Sequence, residues 1–357
     1  MNILFDAKVL NMEYTGIAKT IIFLFEACHK IDESFMAYGF GSTKNDKHAY
    51  IDKGIILLSG KSRKELKRYI EKFNIDAIHY PYNKGGYLRF CNKPQILTIY
   101  DLIPLEEDLF DNRFEKMKYI FEKKISIKNA NVVITSSEYV RHSLIDFTNG
   151  KIDPQVIYWG VTLPLDSESK KKLEFNYFLY VGGYHIRKGI DRLVKAFTTM
   201  YKEGGTKSKL VIVGKQRTIN HEVDELIREG VKNGSIIQTW YIKDEEVCNL
   251  YKNAICTVYL SQAEGFGLPL IEAMRFGCPV VSTKNTSLEE IGGDACYYVD
   301  RNNIPEIVGA MKTFEKDQNT RKYYIEAGYK NVEKYKWDIA ATRYLNIISE
   351  LTNNKSK

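Results

Sequence analysis

The chain has 357 residues, 44% hydrophobic and 27% charged, with 52 lysines and arginines against 45 acids and a net charge of +7. That length allows a substantial core and two domains of ordinary size, and so modest a positive excess suits acidic partners without choosing among them. Its basic residues are scattered without a nucleic-acid recognition motif, so no nucleic-acid partner is expected. The cysteines Cys28, Cys91, Cys248, Cys256, Cys278 and Cys296 form no Cys-x2-Cys pair, which argues against zinc sites and a secreted disulfide framework.

Asn2 to Phe5 is a short apolar run ending at Asp6, and it predicts a buried strand, a loop and a helix from Ile17 to His29. Met1 to Leu10 carry Asp6 and Lys8, unlike a signal peptide, and no run is long enough to cross a bilayer. A cytoplasmic protein is expected, touching membrane at most from its inner face. The first loop holds the single Gly16 and no Gly-x-Gly-x-x-Gly, so a dinucleotide-dependent oxidoreductase has no support. Ile55 to Leu58 reads as a strand. Ser59-Gly60-Lys61-Ser62 after it resembles a phosphate-binding P-loop but fails on register: five residues, not four, separate Gly54 from Gly60, and Gly54 precedes the strand. The stretch reads instead as the start of a basic helix, Arg63 to Lys72.

Asp76 to Tyr80 and Gln95 to Tyr100 read as buried strands whose ends bring up His79 and Tyr100-Asp101, where open parallel sheets gather their chemistry. His79 reads equally well as a satisfied strand-end histidine. Phe110 to Lys128 is a basic, aromatic, amphipathic-looking helix with Arg113, Phe114, Lys116, Lys118, Tyr119, Phe121, Lys123 and Lys124. Such faces sit on anionic membranes in some proteins and are simply solvated in more. Asn131 to Thr135 is a strand, Ser136 or Ser137 caps the next helix, and Gln155 to Tyr158 is a last strand.

From Gly160 to Asn176 the composition shifts to Pro, Asp, Ser and the run Lys170-Lys171-Lys172, which reads as a linker. A second alternation of strands and helices follows, with strands at Tyr177 to Val181, Lys209 to Val213, Ile236 to Trp240, Cys256 to Leu260, Val280 to Thr283 and Cys296 to Val299. Asp244 is expected to cap a helix through Tyr251, and closing helices run from about Ile304 to Tyr335 and Trp337 to Leu351. The expected organisation is an α/β protein with a Rossmann-like domain over 1–160, a linker over 161–176, a second Rossmann-like domain over 177–335 and a terminal helix over 336–357.

The most informative stretch is Glu264 to Pro279. Pro269 suits the first helical position, Gly277 and Pro279 stop the helix, and Gly265 and Gly267 let the backbone approach a ligand with amide groups aimed at it. Glu264 precedes the helix and Glu272 lies within it. Phosphate would repel carboxylates, so these two fit neutral hydroxyls flanking an anion, as sugars present on both sides of a nucleotide diphosphate. Arg187 and Lys188 are adjacent cations in a Gly-flanked turn, either a solvated charged turn or a pair that neutralises a departing diphosphate. No two aspartates are separated by a single residue, so the common metal-holding Asp-x-Asp pair is missing.

With Ile3-Leu4-Phe5-Asp6-Ala7, Thr15-Gly16-Ile17, Val181-Gly182-Gly183, Arg187-Lys188-Gly189 and Ser287-Leu288-Glu289-Glu290-Ile291, the Glu-x7-Glu block resembles the retaining glycosyltransferases of family 4. The pattern is most similar to bacterial mannosyltransferases of O-antigen and capsule assembly. The resemblance implies a GT-B fold, two Rossmann-like domains with parallel sheets facing across a cleft, the terminal helix crossing back to the first. It implies that Gly16, Arg187, Lys188, Glu264, Gly265, Phe266, Gly267, Leu268 and Glu272 bind the donor, with Glu264 on the transferred sugar and Glu272 on the ribose. Glu264, Arg187, Lys188 and Asp101 become the catalytic set, and His79, Tyr100 and Asp101 the acceptor contacts. Tyr100 stands where the family has His and, with a pKa near 10, is a poor base. The implied activity is metal-independent transfer of mannose from GDP-mannose to a surface polysaccharide or lipid-linked glycan, without a cofactor beyond the nucleotide sugar. A UDP- or dTDP-sugar donor and a non-catalytic nucleotide-binding member are the alternatives.

Overall fold

The computed structural model describes residues 1–353 apart from 13–15, 42–49, 60, 61, 86–90, 165–172, 216–219 and 285. The chain divides into two units, Met1–Thr162 with Tyr335–Lys357, and Leu163–Lys334. Half of the expected linker 161–176, residues 165–172, lies outside the described residues, as do Thr15 and the Gly60-Lys61 pair.

In the first unit seven strands form one sheet: β1 (Asn2–Asp6), β2 (Met36–Phe40), β3 (Ile55–Leu57), β4 (Ala77–Tyr80), β5 (Gln95–Ile99), β6 (Val132–Thr135) and β7 (Gln155–Val156). Their order is β3-β2-β1-β4-β5-β6-β7, every pairing parallel. Helices cover both faces of such a sheet, so its strands become near-continuous apolar runs, and Ile3, Leu4, Phe5, Ile96, Leu97 and Ile99 are wholly buried. The helices Gly16–Ile31 and Trp337–Asn353 pack on each other. Phe23 stacks on Trp337 at 5.7 Å, and the Trp337 indole N–H donates to the Val161 carbonyl at 2.8 Å.

The second unit repeats the plan with β8 (Tyr177–Val181), β9 (Lys209–Val213), β10 (Ile236–Thr239), β11 (Thr257–Tyr259), β12 (Val280–Ser282) and β13 (Cys296–Tyr298). The order is β10-β9-β8-β11-β12-β13, again parallel throughout. In both sheets the winding direction reverses once, between β1 and β4 and between β8 and β11. Open α/β sheets bind ligands outside the strand ends at such a reversal.

Several helix ends follow directly from local chemistry. Ser62 and Glu65 form a capping box that opens Arg63–Lys72, and Ser137, rather than Ser136, caps Glu138–Phe147. Two expectations are corrected. Asp244 is the first helical residue and Lys243 the cap, with the Glu246 carboxylate accepting from the Lys243 amide at 2.9 Å. The stretch expected from Ile304 to Tyr335 is two helices, Ile304–Lys316 and Gln318–Val332, because the Asp317 carboxylate accepts from the amides of Asn319 and Thr320 and starts a new helix.

Candidate active site

At the reversal of the second sheet, the turn after β8 carries Arg187 and Lys188, and the loop after β11 carries Glu264. Strand order makes them neighbours: β8 lies beside β11, so segments 76 residues apart in sequence emerge together. The turn Ile186–Lys188 closes at Gly189, whose φ of 73° is left-handed and whose missing side chain lets the backbone press on Leu260; a Cβ there would lie 2.2 Å from the Leu260 carbonyl oxygen. The Gln262 amide donates to the Arg187 carbonyl at 2.7 Å, tying loop to turn.

Glu264 is buried, and its Oε1 gathers the local donors. Lys188 Nζ lies 2.5 Å away, Ser261 Oγ 2.7 Å, Tyr259 OH 2.8 Å and Arg187 Nη1 3.6 Å. Lys188 Nζ also donates to Tyr259 OH at 2.8 Å, and the Arg187 guanidinium donates to the Ala263 carbonyl. Burial by itself raises the Glu264 carboxyl. The charges of Lys188 and Arg187 and the hydrogen bonds from Lys188 and Ser261 outweigh it, so the group is held below its ordinary range and is ionised at neutral pH. The same burial, reinforced by the carboxylate's charge, lifts the Tyr259 phenol well above its usual value, so Tyr259 stays a neutral donor.

The backbone around Glu264 is clamped as well. Its amide donates to Thr286 Oγ1 at 3.2 Å, and Ser287 Oγ donates to the carbonyls of Glu264 and Phe266 at 2.8 and 3.0 Å. Thr286 has a φ of 55°, which a β-branched residue adopts only at a cost of about 1–3 kcal/mol. Gly267 caps the helix Leu268–Arg275 with a φ of 106°, and a Cβ there would sit 2.8 Å from Leu288 Cδ2. The helix N-terminus therefore opens beside Arg187 and Lys188 with Gly265, Phe266, Gly267 and Leu268 around it. Glu272 is buried in this helix and adds its charge to burial in raising the Tyr251 phenol. Two cations and a helix N-terminus can hold a diphosphate, and a carboxylate among them can accept from a sugar hydroxyl.

Arg301 was not singled out from sequence, where it is one arginine in a polar turn. Its guanidinium donates to Gln262 Oε1 at 2.5 Å and to the Ile186 carbonyl at 3.1 Å, bracing the cationic turn against the Glu264 loop. Tyr259, Ser261 and Thr286 were missed for the same reason. Each matters only through a neighbour that the fold supplies.

The predicted acceptor residues separate. Asp101 lines a cavity of about 260 Å³ at the reversal of the first sheet, with Ile17, Tyr82, Tyr119 and Lys123 among the other walls. Lys123 is buried there, its ammonium 2.8 Å from the Asn83 carbonyl; burial outweighs the charges of Asp101 and Glu122 and brings its pKa down to about 8. His79 is corrected: it is wholly buried, Nε2 lies 2.8 Å from Thr98 Oγ1 and Nδ1 2.9 Å from Tyr344 OH, so both ring nitrogens are occupied inside the core. Burial drives its pKa down to about 3 and keeps it neutral. Tyr100 is corrected too. Its ring packs inward near Trp159 at 6.0 Å, and burial lifts the phenol far above its usual range, so it supplies neither base nor acceptor contact. Gly16 opens the first-unit helix Gly16–Ile31, its carbonyl accepting from Thr20 Oγ1 at 2.6 Å.

Two parallel-sheet Rossmann-like domains, the second carrying this carboxylate and its two cations, make up a GT-B fold. Residues 164–331, just under half of the chain, match the family model described as Glycosyl transferases group 1. The chain is 27% identical over 246 residues to the O-antigen chain mannosyltransferase B of Escherichia coli, covering 65% of this chain and 64% of that one. It is 26% identical to the O-antigen chain mannosyltransferase RfbU of Salmonella typhimurium, over 62% and 61% of the two chains. The match thus spans just under two thirds of the length of either relative. Among solved structures, sucrose-phosphate synthase of Thermosynechococcus elongatus superposes with a TM-score of 0.77 at 18% identity over 99% of both chains. WaaG, a glycosyltransferase involved in lipopolysaccharide biosynthesis, does so with 0.70 at 13% identity over 98% of this chain and 99% of its own. Anabaena HepE, solved with UDP and glucose, gives 0.73 at 16% identity over 98% of this chain and 100% of its own.

Proposed function

We propose that the protein transfers a mannosyl residue from GDP-mannose, with retention and without a metal ion, to a growing surface polysaccharide or its lipid-linked precursor on the cytoplasmic side of the membrane. The observation that carries this reading is the convergence of Lys188, Arg187, Tyr259 and Ser261 on one oxygen of Glu264, beside the helix that starts at Leu268. The likeness to O-antigen mannosyltransferases supports the sugar and the pathway type.

In the proposed step the sugar–phosphate bond breaks and the nucleoside diphosphate gathers charge, which Arg187, Lys188 and the amides from Gly265 to Leu268 stabilise where it develops. The acceptor hydroxyl attacks the anomeric carbon from the face the phosphate leaves. Its proton passes to the departing phosphate oxygen, so no enzyme nucleophile is required. All the donors named above fall on Glu264 Oε1, and we assign Oε2 to a hydroxyl of the transferred sugar. Glu264 then positions the sugar and tethers both cations, and Glu272 takes the ribose hydroxyls. Asp101, beside its cavity, receives the acceptor.

A second reading, a UDP-hexose donor, is favoured by the fold relative solved with UDP and glucose. A thermal-shift panel of GDP, UDP, dTDP and their sugars, with and without chelator, separates the two. Stabilisation by GDP and GDP-mannose, insensitive to chelator, is expected. A shift for UDP alone overturns the donor assignment, and loss of the shift on chelation overturns the cation argument.

A further inference from the structure

The cavity beside Asp101 is walled by two segments of the first unit, the loop 82–85 after β4 and the helix Arg113–Asn129. Three ties fix one against the other. Lys123 Nζ donates to the Asn83 carbonyl at 2.8 Å, the Gly85 amide donates to Ser126 Oγ at 3.2 Å, and Lys84 Nζ lies 3.0 Å from Glu122 Oε2. Asn83, with a left-handed φ of 42°, also ties the loop to the strand end that carries Asp101. Its amide donates to the Thr98 carbonyl at 2.8 Å, and its Oδ1 accepts from the Tyr100 amide at 2.9 Å. A pocket held in this way keeps its shape before any ligand arrives.

The charges of the cavity are already matched. Its described lining holds two cations and two acids: Lys84 pairs with Glu122, and Lys123 sits against the Asn83 carbonyl and 4.9 Å from the centre of the Tyr119 ring, in the field of Asp101. A phosphate or carboxylate entering here would have to break one of these pairings and would face Asp101 in a partly desolvated site. The aromatic walls are uncharged as well. Burial, reinforced by the charge of Asp101, raises the phenols of Tyr82 and Tyr119, so both remain neutral hydroxyls. Tyr82 is 40% exposed and has ring surface left to cover. At about 260 Å³ the cavity falls below the roughly 300–1,000 Å³ of pockets that enclose drug-sized ligands, so it suits a single small ring.

We infer that this cavity seats one uncharged pyranose, the terminal residue of a glycan acceptor, with its C–H face against Tyr82 and its hydroxyls on Asp101. Such a ring is apolar on its faces and carries donors and acceptors at its edge, which matches tyrosine walls around one carboxylate. The inference rests on the acceptor reading proposed above and narrows it: neither a lipid phosphate nor an acidic sugar is the group seated here. A hydroxyl of the pyranose supplies the oxygen of the new glycosidic bond as the sugar–phosphate bond breaks, and its proton leaves on the nucleoside diphosphate. The reaction that precedes this one must then be a glycosyl transfer that leaves an uncharged sugar at the growing end. First transfer onto a lipid phosphate is a different step.

The test is titration of the full chain, without donor, followed by saturation-transfer NMR. The probes are the methyl glycosides of mannose, glucose, galactose and N-acetylglucosamine, with methyl glucuronoside and octyl phosphate as the anions. At least one neutral glycoside should bind with a Kd of about 1 mM, the affinity that ligand efficiency allows about a dozen heavy atoms, and neither anion should match it. Asp101→Asn should weaken that binding about tenfold and Tyr82→Ala about three- to tenfold, with unchanged circular dichroism melts. If Asp101→Asn lowers the melt, Tyr82→Ala, at an exposed residue, decides. Binding of either anion at equal affinity, no binding of any neutral glycoside, or binding that both variants leave intact overturns the inference. The readout needs no turnover, so a neutral glycoside that binds and is weakened by the variants, yet receives sugar from no nucleotide donor, upholds the cavity assignment and counts against the transferase reading alone.

Discussion

Lys188 Nζ lies 2.5 Å from Glu264 Oε1, joining two residues 76 positions apart, and this ion pair organises the second unit's candidate site. The carboxylate also draws Arg187, so the two cations are preset beside the helix N-terminus at Leu268. Preset charge needs little reorganisation when a diphosphate departs.

Glu264→Gln should therefore separate binding from chemistry. The glutamine oxygen still accepts hydrogen bonds, but the cations lose their tether and the transferred sugar its carboxylate. Nucleoside diphosphate affinity by calorimetry should hold within a few-fold, while turnover falls about 10²–10³-fold. Turnover at the wild-type rate would remove Glu264 from the mechanism.

The same pair sets an acid sensitivity. The folded carboxyl titrates below its unfolded value of 4.5, so its contribution to stability is fully present above that value and is lost as pH falls through the lower, folded one. The melting-temperature gap between wild type and Glu264→Gln should be widest near pH 7 and narrow as the pH falls below 4.5. A constant gap from pH 7 to 3 would contradict the assignment.

Glu272→Ala removes the expected ribose contact. Nucleotide affinity should drop about 10- to 100-fold, the worth of a hydrogen bond to a charged group, with the single-turnover rate at saturating donor little changed. Unaltered affinity for every nucleoside diphosphate would return Glu272 to a packing role.

Arg301→Gln should loosen the turn carrying Arg187 and Lys188. Since Arg301 braces through Gln262 and the Ile186 carbonyl, donor KM should rise and kcat fall together, about tenfold in kcat/KM for a misplacement of the cations. Arg301→Lys should restore part of that loss. A lowered melting temperature with unchanged KM and kcat would mark Arg301 as purely structural.

Gly189→Ala tests the close approach beneath the cations. A methyl group would meet the Leu260 carbonyl and strain a φ of 73°, costing at least about 1–3 kcal/mol. At about 2–4 °C per kcal/mol, calorimetry should register a clear drop in Tm. No drop would mean that the turn relaxes freely.

Sequence by itself determined the features that are local. The apolar runs of β1, β5, β8 and β9 are strands because a doubly covered sheet demands continuous burial; the stop at Gly277 follows from backbone φ alone, and the start falls at Leu268, one residue before the Pro269 expected to open the helix. Glu264, Arg187 and Lys188 were legible because each sits in a glycine-bounded turn whose chemistry is local. Tertiary structure decided which turns meet. The adjacency of β8 and β11 gives Glu264 its cations, and no periodicity encodes strand order. It also decided which polar groups are withdrawn: His79 and Tyr100 end strands as expected, yet Thr98, Tyr344 and Trp159 enclose them. Along Arg113–Asn129, likewise, only packing separates the lysine that is buried from those that are exposed. A side chain's neighbours across the fold set its solvation, and solvation sets whether a titratable group can act.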